Sequence, residues 1–300
     1  MDGMRIVVFG LGYTGTEIAR RAVAAGAHVT GTSRDPARAA PPPPGVVLVA
    51  FDAAQQALAE ATHILQTAPP GEAGDPALLA YAGRLGTPAW VGMLSTTGVY
   101  GDRGGAWVDE DTPPAPTGER GRRRWQAEQA WARAFPGARV DLFRVAGIYG
   151  PGRSVFDDVA AGTARRVDKP DHLFGRIHRD DITDAVLAAM NQAGPPRTRV
   201  LNLNDDEPAS GADVIAEAAR LLGAPLPPLV PYPEALAAMS PMGRSFWGEN
   251  RRVASRKTQE RLGLRWRYPT YREGLAAILA ASLADQCRPS YDVGAMPGSD

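Results

Sequence analysis

The chain has 300 residues, with 33 lysines and arginines against 33 aspartates and glutamates, a formal net charge of zero and a pI near 6.9. That balance excludes a global field drawing the protein to nucleic acid or another polyanion. A single cysteine, Cys287, excludes an intrachain disulfide and a thiolate cluster for zinc, and points to a reducing cytoplasm.

The first apolar run, IVVFGLG, is short, broken by glycine and preceded by Asp2, so it reads as a buried strand and not as a signal peptide. No run approaches membrane-spanning length. The strand opens into VFGLGYTG, where Gly10, Gly12 and Gly15 form GxGxxG between a strand and a helix of about Thr14 to Ala25. In that context Gly10 permits a tight turn, Gly12 lets backbone approach a pyrophosphate, and Gly15 lets the helix pack close to the strand. Free N–H groups at the helix start then receive phosphate. Leu11, Tyr13 and Thr14 complete this expected cofactor segment.

The second strand, HVTGTS, runs into Arg34. A site for NAD places an acid there for the ribose 2′-hydroxyl. Ser33 and Arg34 instead suit a 2′-phosphate, so the pattern predicts NADP over NAD. Asp35 reads as an N-cap before Pro36, and DPARAAPPPPG as at most one helical turn before a proline-rich loop. VVLVAF, HILQTA and AWVGMLS supply further strands, and Thr67, Ala68 and Pro69 at the end of the fourth join the cofactor set. Between the last two, GDPALLAYAGRLG predicts a helix with Asp75 as N-cap and Pro76 at N1. This βαβ rhythm predicts a Rossmann fold, a doubly wound parallel sheet, with a smaller C-terminal substrate-binding lobe.

PTGERGRRRWQAE concentrates four arginines among the six residues from Glu119 to Arg124. It opens a helix running to about Phe135 and closed by Pro136 and Gly137. Two readings compete: a basic patch for nucleic acid, or an interior helix whose charges serve a bound anion. The strand RVDLFRVAG follows, then RDDITDAVLAAMN with Asp181 as the expected cap, the strand RVLNLN, the helix GADVIAEAARLLG, and a proline-rich passage into a C-terminal helical region. The expected organisation is a nucleotide-binding domain over 1–170 to which 176–204 returns, a substrate lobe mainly over 205–284, and a disordered tail over 285–300.

WVGMLSTTGVYGDRGGAWVDEDTPPAP, FRVAGIYGPGR and RIHRDDITDAV together resemble the extended short-chain dehydrogenase/reductase family, over nearly the whole chain. ENRR and YPTYREGL are similar to its atypical bacterial branch named NAD-dependent epimerase/dehydratase. The family uses Ser or Thr with a YxxxK pair on one helix, the tyrosine moving a proton and the lysine holding the nicotinamide ribose. The resemblance places the Ser/Thr role at Thr96 and overlays PxSxYGxSKxxxE on PTGERGRRRWQAE. There Pro116, Gly121 and Glu128 match, tyrosine has become Arg120, and lysine has become Arg124. A guanidinium still bonds ribose hydroxyls, but it stays protonated and makes a poor general acid or base.

Arg120, Arg124 and Glu128 lie at i, i+4 and i+8 on one helical face, which the resemblance turns toward the nicotinamide. Asp52, after the third strand, matches the family's adenine contact or else caps the next helix. For the missing proton donor Tyr100 is one candidate, with a packed aromatic as its alternative. His178, in the stretch where the family lines its substrate pocket, is another, with a structural histidine as its alternative. The function expected is an NADP(H)-dependent oxidoreductase or epimerase acting on a small polar, anionic substrate. The alternative is an NADP(H)-sensing binding protein. No metal, nucleic-acid or membrane partner is expected.

Overall fold

The computed structural model describes residues 1–286. The opening run forms β1 (Arg5–Phe9), buried at every position after Arg5, as a strand covered on both faces requires. After the glycine turn come α1 (Tyr13–Ala24), β2 (His28–Ser33) and β3 (Val46–Ala50). No helix follows Asp35; Pro36 begins a turn, so Asp35 caps nothing. A 3-10 turn over Phe51–Ala53 leads to α2 (Gln55–Glu60) and β4 (His63–Gln66). α3 (Pro76–Ala80) begins as predicted, with the Asp75 carboxylate accepting from the N–H groups of Ala77 and Leu78. It stops after five residues, because Gly83 and Gly86 turn the chain through left-handed φ of 70° and 67°.

β5 (Trp90–Thr96) passes into a 3-10 turn over Thr97–Tyr100, then β6 (Trp107–Val108) and the arginine-rich α4 (Glu119–Ala134). β7 (Arg139–Val145) and β8 (Gly147–Tyr149) are followed by α5 (Phe156–Ala160), β9 (Arg166–Asp168) and β10 (Arg176–His178). α6 (Arg179–Asn191) is capped by His178, whose side chain accepts from Asp180 N–H, and not by Asp181. The Asp181 carboxylate is spent elsewhere, accepting from the backbone N–H groups of Arg267 and Tyr268. Beyond it lie β11 (Arg197–Leu203), α7 (Gly211–Leu222), β12 (Leu229–Pro231), α8 (Tyr232–Ala238) and α9 (Pro241–Trp247). β13 (Arg252–Val253), α10 (Arg256–Leu262) and α11 (Tyr271–Gln286) complete the described chain. α11 continues through 285 and 286; the rest of the expected tail, with Cys287, lies outside the described residues.

Seven strands make one parallel sheet in the order β11-β7-β5-β4-β1-β2-β3. The chain winds outward from β1 to β3 and returns through β4 to the other side, the Rossmann arrangement. The reversal between β1 and β4 opens a crevice at the strands' carboxyl ends, where ligands bind in such sheets. One apolar core joins Ile18, Ala22, Ile182 and Val186 to one face of the sheet; another joins Leu58, Ala77, Ala127 and Trp131 to the other. A third core, with Tyr149, Val159, Val214, Tyr271 and Leu275, sits among α5, α7, β8 and α11. Among the described residues no helix is long and apolar enough to cross a membrane.

Candidate functional site

At the reversal, the glycine turn has the geometry its three glycines predict. Gly10 adopts φ +96°, and its carbonyl accepts from the Thr67 hydroxyl at 2.6 Å. A Cβ on Gly15 would overlap the Gly10 carbonyl oxygen, so α1 packs against the turn only with glycine there. Gly12 has nothing within 4 Å of its missing side chain, leaving its backbone open to a ligand. α1 has no side-chain cap and no acid in its first turn, so its N–H groups and positive end face this opening. Leu11 packs over Gly31, Thr14 is buried, and Tyr13 donates its hydroxyl to the Pro151 carbonyl at 3.0 Å.

Around this turn stand the ends of β2, β3 and β4. Arg34 is exposed and, among the described residues, has no hydrogen-bond or ion-pair partner. Ser33 accepts from Asp35 N–H at 3.3 Å. Asp52 is exposed and caps no helix; Ala68 donates its N–H to the Gln66 side chain at 3.0 Å, and Pro69 is exposed. The glycine turn and the loop after β4 meet through Thr67, which also donates to the Phe9 carbonyl.

Further along the crevice, Thr96 ends β5 half-buried, its hydroxyl accepting from Gly98 N–H at 3.2 Å. α4 lies against this turn because Gly121 admits close contact: a Cβ there would stand 2.7 Å from the Gly98 carbonyl oxygen. The i, i+4, i+8 face divides by depth. Arg120 is exposed, its guanidinium 5.3 Å from the Phe246 ring centroid. Arg124 is half-buried and donates to the Leu94 carbonyl at 2.8 Å. Burial, together with the neighbouring Arg120 charge, lowers its pKa to about 10, so it remains a cation at neutral pH. Glu128 is buried, while Arg122 and Arg123 pair with Glu119, and Arg123 also with Glu72.

For the two candidate proton donors the structure favours the alternative reading, a packed aromatic and a structural histidine. Tyr100 is fully buried; its hydroxyl donates to Asn202 Oδ1 at 2.8 Å, and its ring lies 4.7 Å below the Arg144 guanidinium. Its phenol serves packing, and burial raises its pKa further. His178 is 1% exposed, enclosed by Tyr149 and Tyr268, with Nδ1 used in the α6 cap. Burial lowers its pKa to about 4, leaving a neutral imidazole behind the Gly150 loop. Both side chains are buried and turned to packing or capping.

Sequence reasoning named Glu128 but missed the partners through which it holds this site in place. Glu128 receives the Ser95 hydroxyl and pairs with the buried Arg144, whose Nη2 lies 2.8 Å from Oε2. The signal was available: an arginine within the apolar strand DLFRV demands a buried partner. From the C-terminal segment, Glu249 accepts from the Thr117 hydroxyl and pairs with Arg251 at 2.6 Å, beside α4. ENRR carried a resemblance that gave Glu249 and Arg251 no role, and nothing marked Phe246; all three arrive from more than a hundred residues away in the chain. Arg153 and Arg179 flank Tyr13, their guanidinium carbons 5.7 and 5.1 Å from its ring centroid. Among the described residues no cluster of three or more His, Cys, Asp or Glu is arranged for a metal ion.

No family profile matches the chain. It is similar to protein YeeZ of Escherichia coli K12, 32% identical over 133 residues, 44% of this chain and 45% of that one. The chain thus matches about half the length of its curated relatives. Among solved structures, a functionally unknown conserved protein from Silicibacter pomeroyi is 42% identical, with a TM-score of 0.80 over 92% of this chain and 98% of that one. MoeE5 in complex with UDP-glucuronic acid and NAD (20% identity, TM-score 0.74, 93% and 99% covered) shares the fold. So does human epimerase family protein SDR39U1 with NADPH (19%, 0.73, 92% and 99%).

Proposed function

We propose that this chain, which belongs to one family with the functionally unknown S. pomeroyi protein, is an epimerase-like member of the short-chain dehydrogenase/reductases that binds NADP(H) and acts as an oxidoreductase or epimerase on a small polar, anionic substrate. The observation that carries this is the glycine turn at the sheet's reversal: Gly12 open, α1 uncapped, and Arg34 unpartnered at the end of β2. These residues fit a dinucleotide. The α1 N-terminus receives the pyrophosphate, Ser33 and Arg34 the 2′-phosphate, and Asp52 with Thr67 to Pro69 border the adenine side. When bound, the nicotinamide supplies hydride chemistry.

In this reading Arg124 would hold the nicotinamide ribose, with donors beyond the one spent on Leu94. Thr96 orients the substrate's reacting oxygen. Arg120, stacked on Phe246 at the rim, presents a fixed charge to the substrate's anionic group. Calorimetric titration with NADP(H) and NAD(H) tests the cofactor reading; equal or inverted affinity overturns it. One observation favours a second reading, an NADP(H)-sensing binding protein: residue 120 is not a phenol, and the nearby phenol of Tyr100 is committed to Asn202. NADPH oxidation with a carbonyl substrate excludes that sensor.

A further inference from the structure

Behind the glycine turn, between β8, β10, α7 and α11, lies a pocket of about 240 Å³. It is smaller than sites for drug-sized ligands, roughly 300 to 1,000 Å³. Val214 and Leu275 give it apolar walls, and Arg153, Ser154, Arg176 and Tyr271 supply polar groups. Two cations line it and no carboxylate does. Arg176 donates to the carbonyls of Phe174, Ala209 and Ser210. These bonds use three of its five N–H groups and do not cancel its charge. Among the described residues no acid stands within ion-pair distance of it.

Two more features indicate unmet polar capacity. Tyr271 is wholly buried, and its hydroxyl has no hydrogen-bond partner. Nearby Asp205, whose N–H bonds the Arg176 carbonyl, also has both carboxyl oxygens buried without partners. Burial pushes Asp205 up to about 8, so at neutral pH it is mostly protonated and opposes the Arg176 charge only weakly. A buried donor without an acceptor is costly and rare in a native protein, which makes it a marker for a ligand.

We propose that this pocket binds a small monocarboxylate with an apolar body, its carboxylate held by Arg176 and Arg153 with the hydroxyls of Ser154 and Tyr271, its hydrocarbon against Val214 and Leu275. A monoanion fits better than a phosphate dianion, whose greater desolvation cost the apolar walls do not repay. Arg153 also lies against Tyr13 of the glycine turn, so the pocket abuts the cofactor crevice. The site does not depend on the cofactor reading, because it is built without any residue assigned to NADP(H).

The test is calorimetry on the full chain without cofactor, with benzoate as probe and benzamide as its neutral counterpart. Benzoate should bind, and benzamide about tenfold or more weaker, as expected when a charge-assisted pair is lost. Val214→Trp, which fills the pocket, should abolish benzoate binding; Tyr271→Phe and Arg153→Gln should weaken it. Arg153 is exposed, so its variant keeps the fold and decides the matter if Val214→Trp does not. Arg120→Ala, at the other anion position, should leave benzoate binding unchanged. Equal affinity for benzamide, undiminished binding by folded Val214→Trp or by Arg153→Gln, or loss in Arg120→Ala would each overturn the assignment. A failed NADP(H) titration bears only on the cofactor reading.

Discussion

At the scale of single residues, Arg34 and Asp205 show opposite uses of a charge. Arg34 stands unpartnered in water, where a phosphate can recruit it at no cost to the fold. Arg34→Ala should lower NADP affinity by about 1–3 kcal/mol, the range for charge-assisted hydrogen bonds, and leave NAD affinity nearly unchanged. Equal losses by calorimetry would mean that the guanidinium contacts the adenine and not the 2′-phosphate. Asp205 is buried, with a pKa near 8 in the folded state against roughly 3.9 unfolded. Between those values the folded chain keeps a proton that the unfolded chain releases, so this group makes stability fall as pH rises. His178, lowered to about 4, acts oppositely up to its unfolded value of roughly 6.5, and Asp181, raised to about 6, adds to the decline only until it is ionised at about pH 7. From about pH 6.5 to 8, then, Asp205 dominates among these three. Urea unfolding across that window should show stability declining with pH, and Asp205→Asn should flatten the decline. The glycines were legible at this scale because their demand is local backbone geometry. Asp205 was not, because its burial depends on elements distant in the chain, among them β10, whose Arg176 carbonyl accepts from its N–H.

Among the elements, α4 resolves the question posed by its arginines. Its sequence is polar enough to be solvated all round, yet Gly121, Ala127, Glu128 and Trp131 are buried. Gly121 brings the helix onto the turn after β5, and Glu128 anchors it to Arg144 of β7. Arg124 is thereby held at the crevice and Arg120 at its rim, while Arg122 and Arg123 stay on the outer side in pairs with acids. Glu128→Gln leaves the Arg144 charge buried and uncompensated. It should cost about 3–5 kcal/mol in urea unfolding, as removal of one partner of a buried pair does. A loss below 1 kcal/mol would mean the pair is solvated and does not anchor the helix. The i, i+4, i+8 spacing of Arg120, Arg124 and Glu128 was readable in the sequence, but their depths were not. Spacing sets which residues share a face; how far that face sinks depends on the small residue that lets the helix approach.

In the whole molecule, the sheet and the C-terminal segment are tied together through α6. Asp181 accepts from Arg267 and Tyr268, and Asp184 pairs with both Arg21 of α1 and Arg267. Asp181→Ala should therefore raise amide hydrogen exchange over 264–286 while β1, β4 and β5 stay protected. Uniform acceleration would mean that the molecule opens as one unit. The sequence by itself determined the parallel sheet, its winding and the glycine turn, because apolar runs of strand length and glycine backbone freedom act over a few neighbouring residues. It also placed arginine at 120 and 124, where the resembling family carries tyrosine and lysine. Only the tertiary structure decided that Tyr100 and His178 are packed away, that Glu128 neutralises Arg144, and that Arg176 and Tyr271 face a pocket without an acid. Each of those outcomes depends on which groups are withdrawn from water together, and desolvation belongs to the packed elements, not to any one stretch of chain.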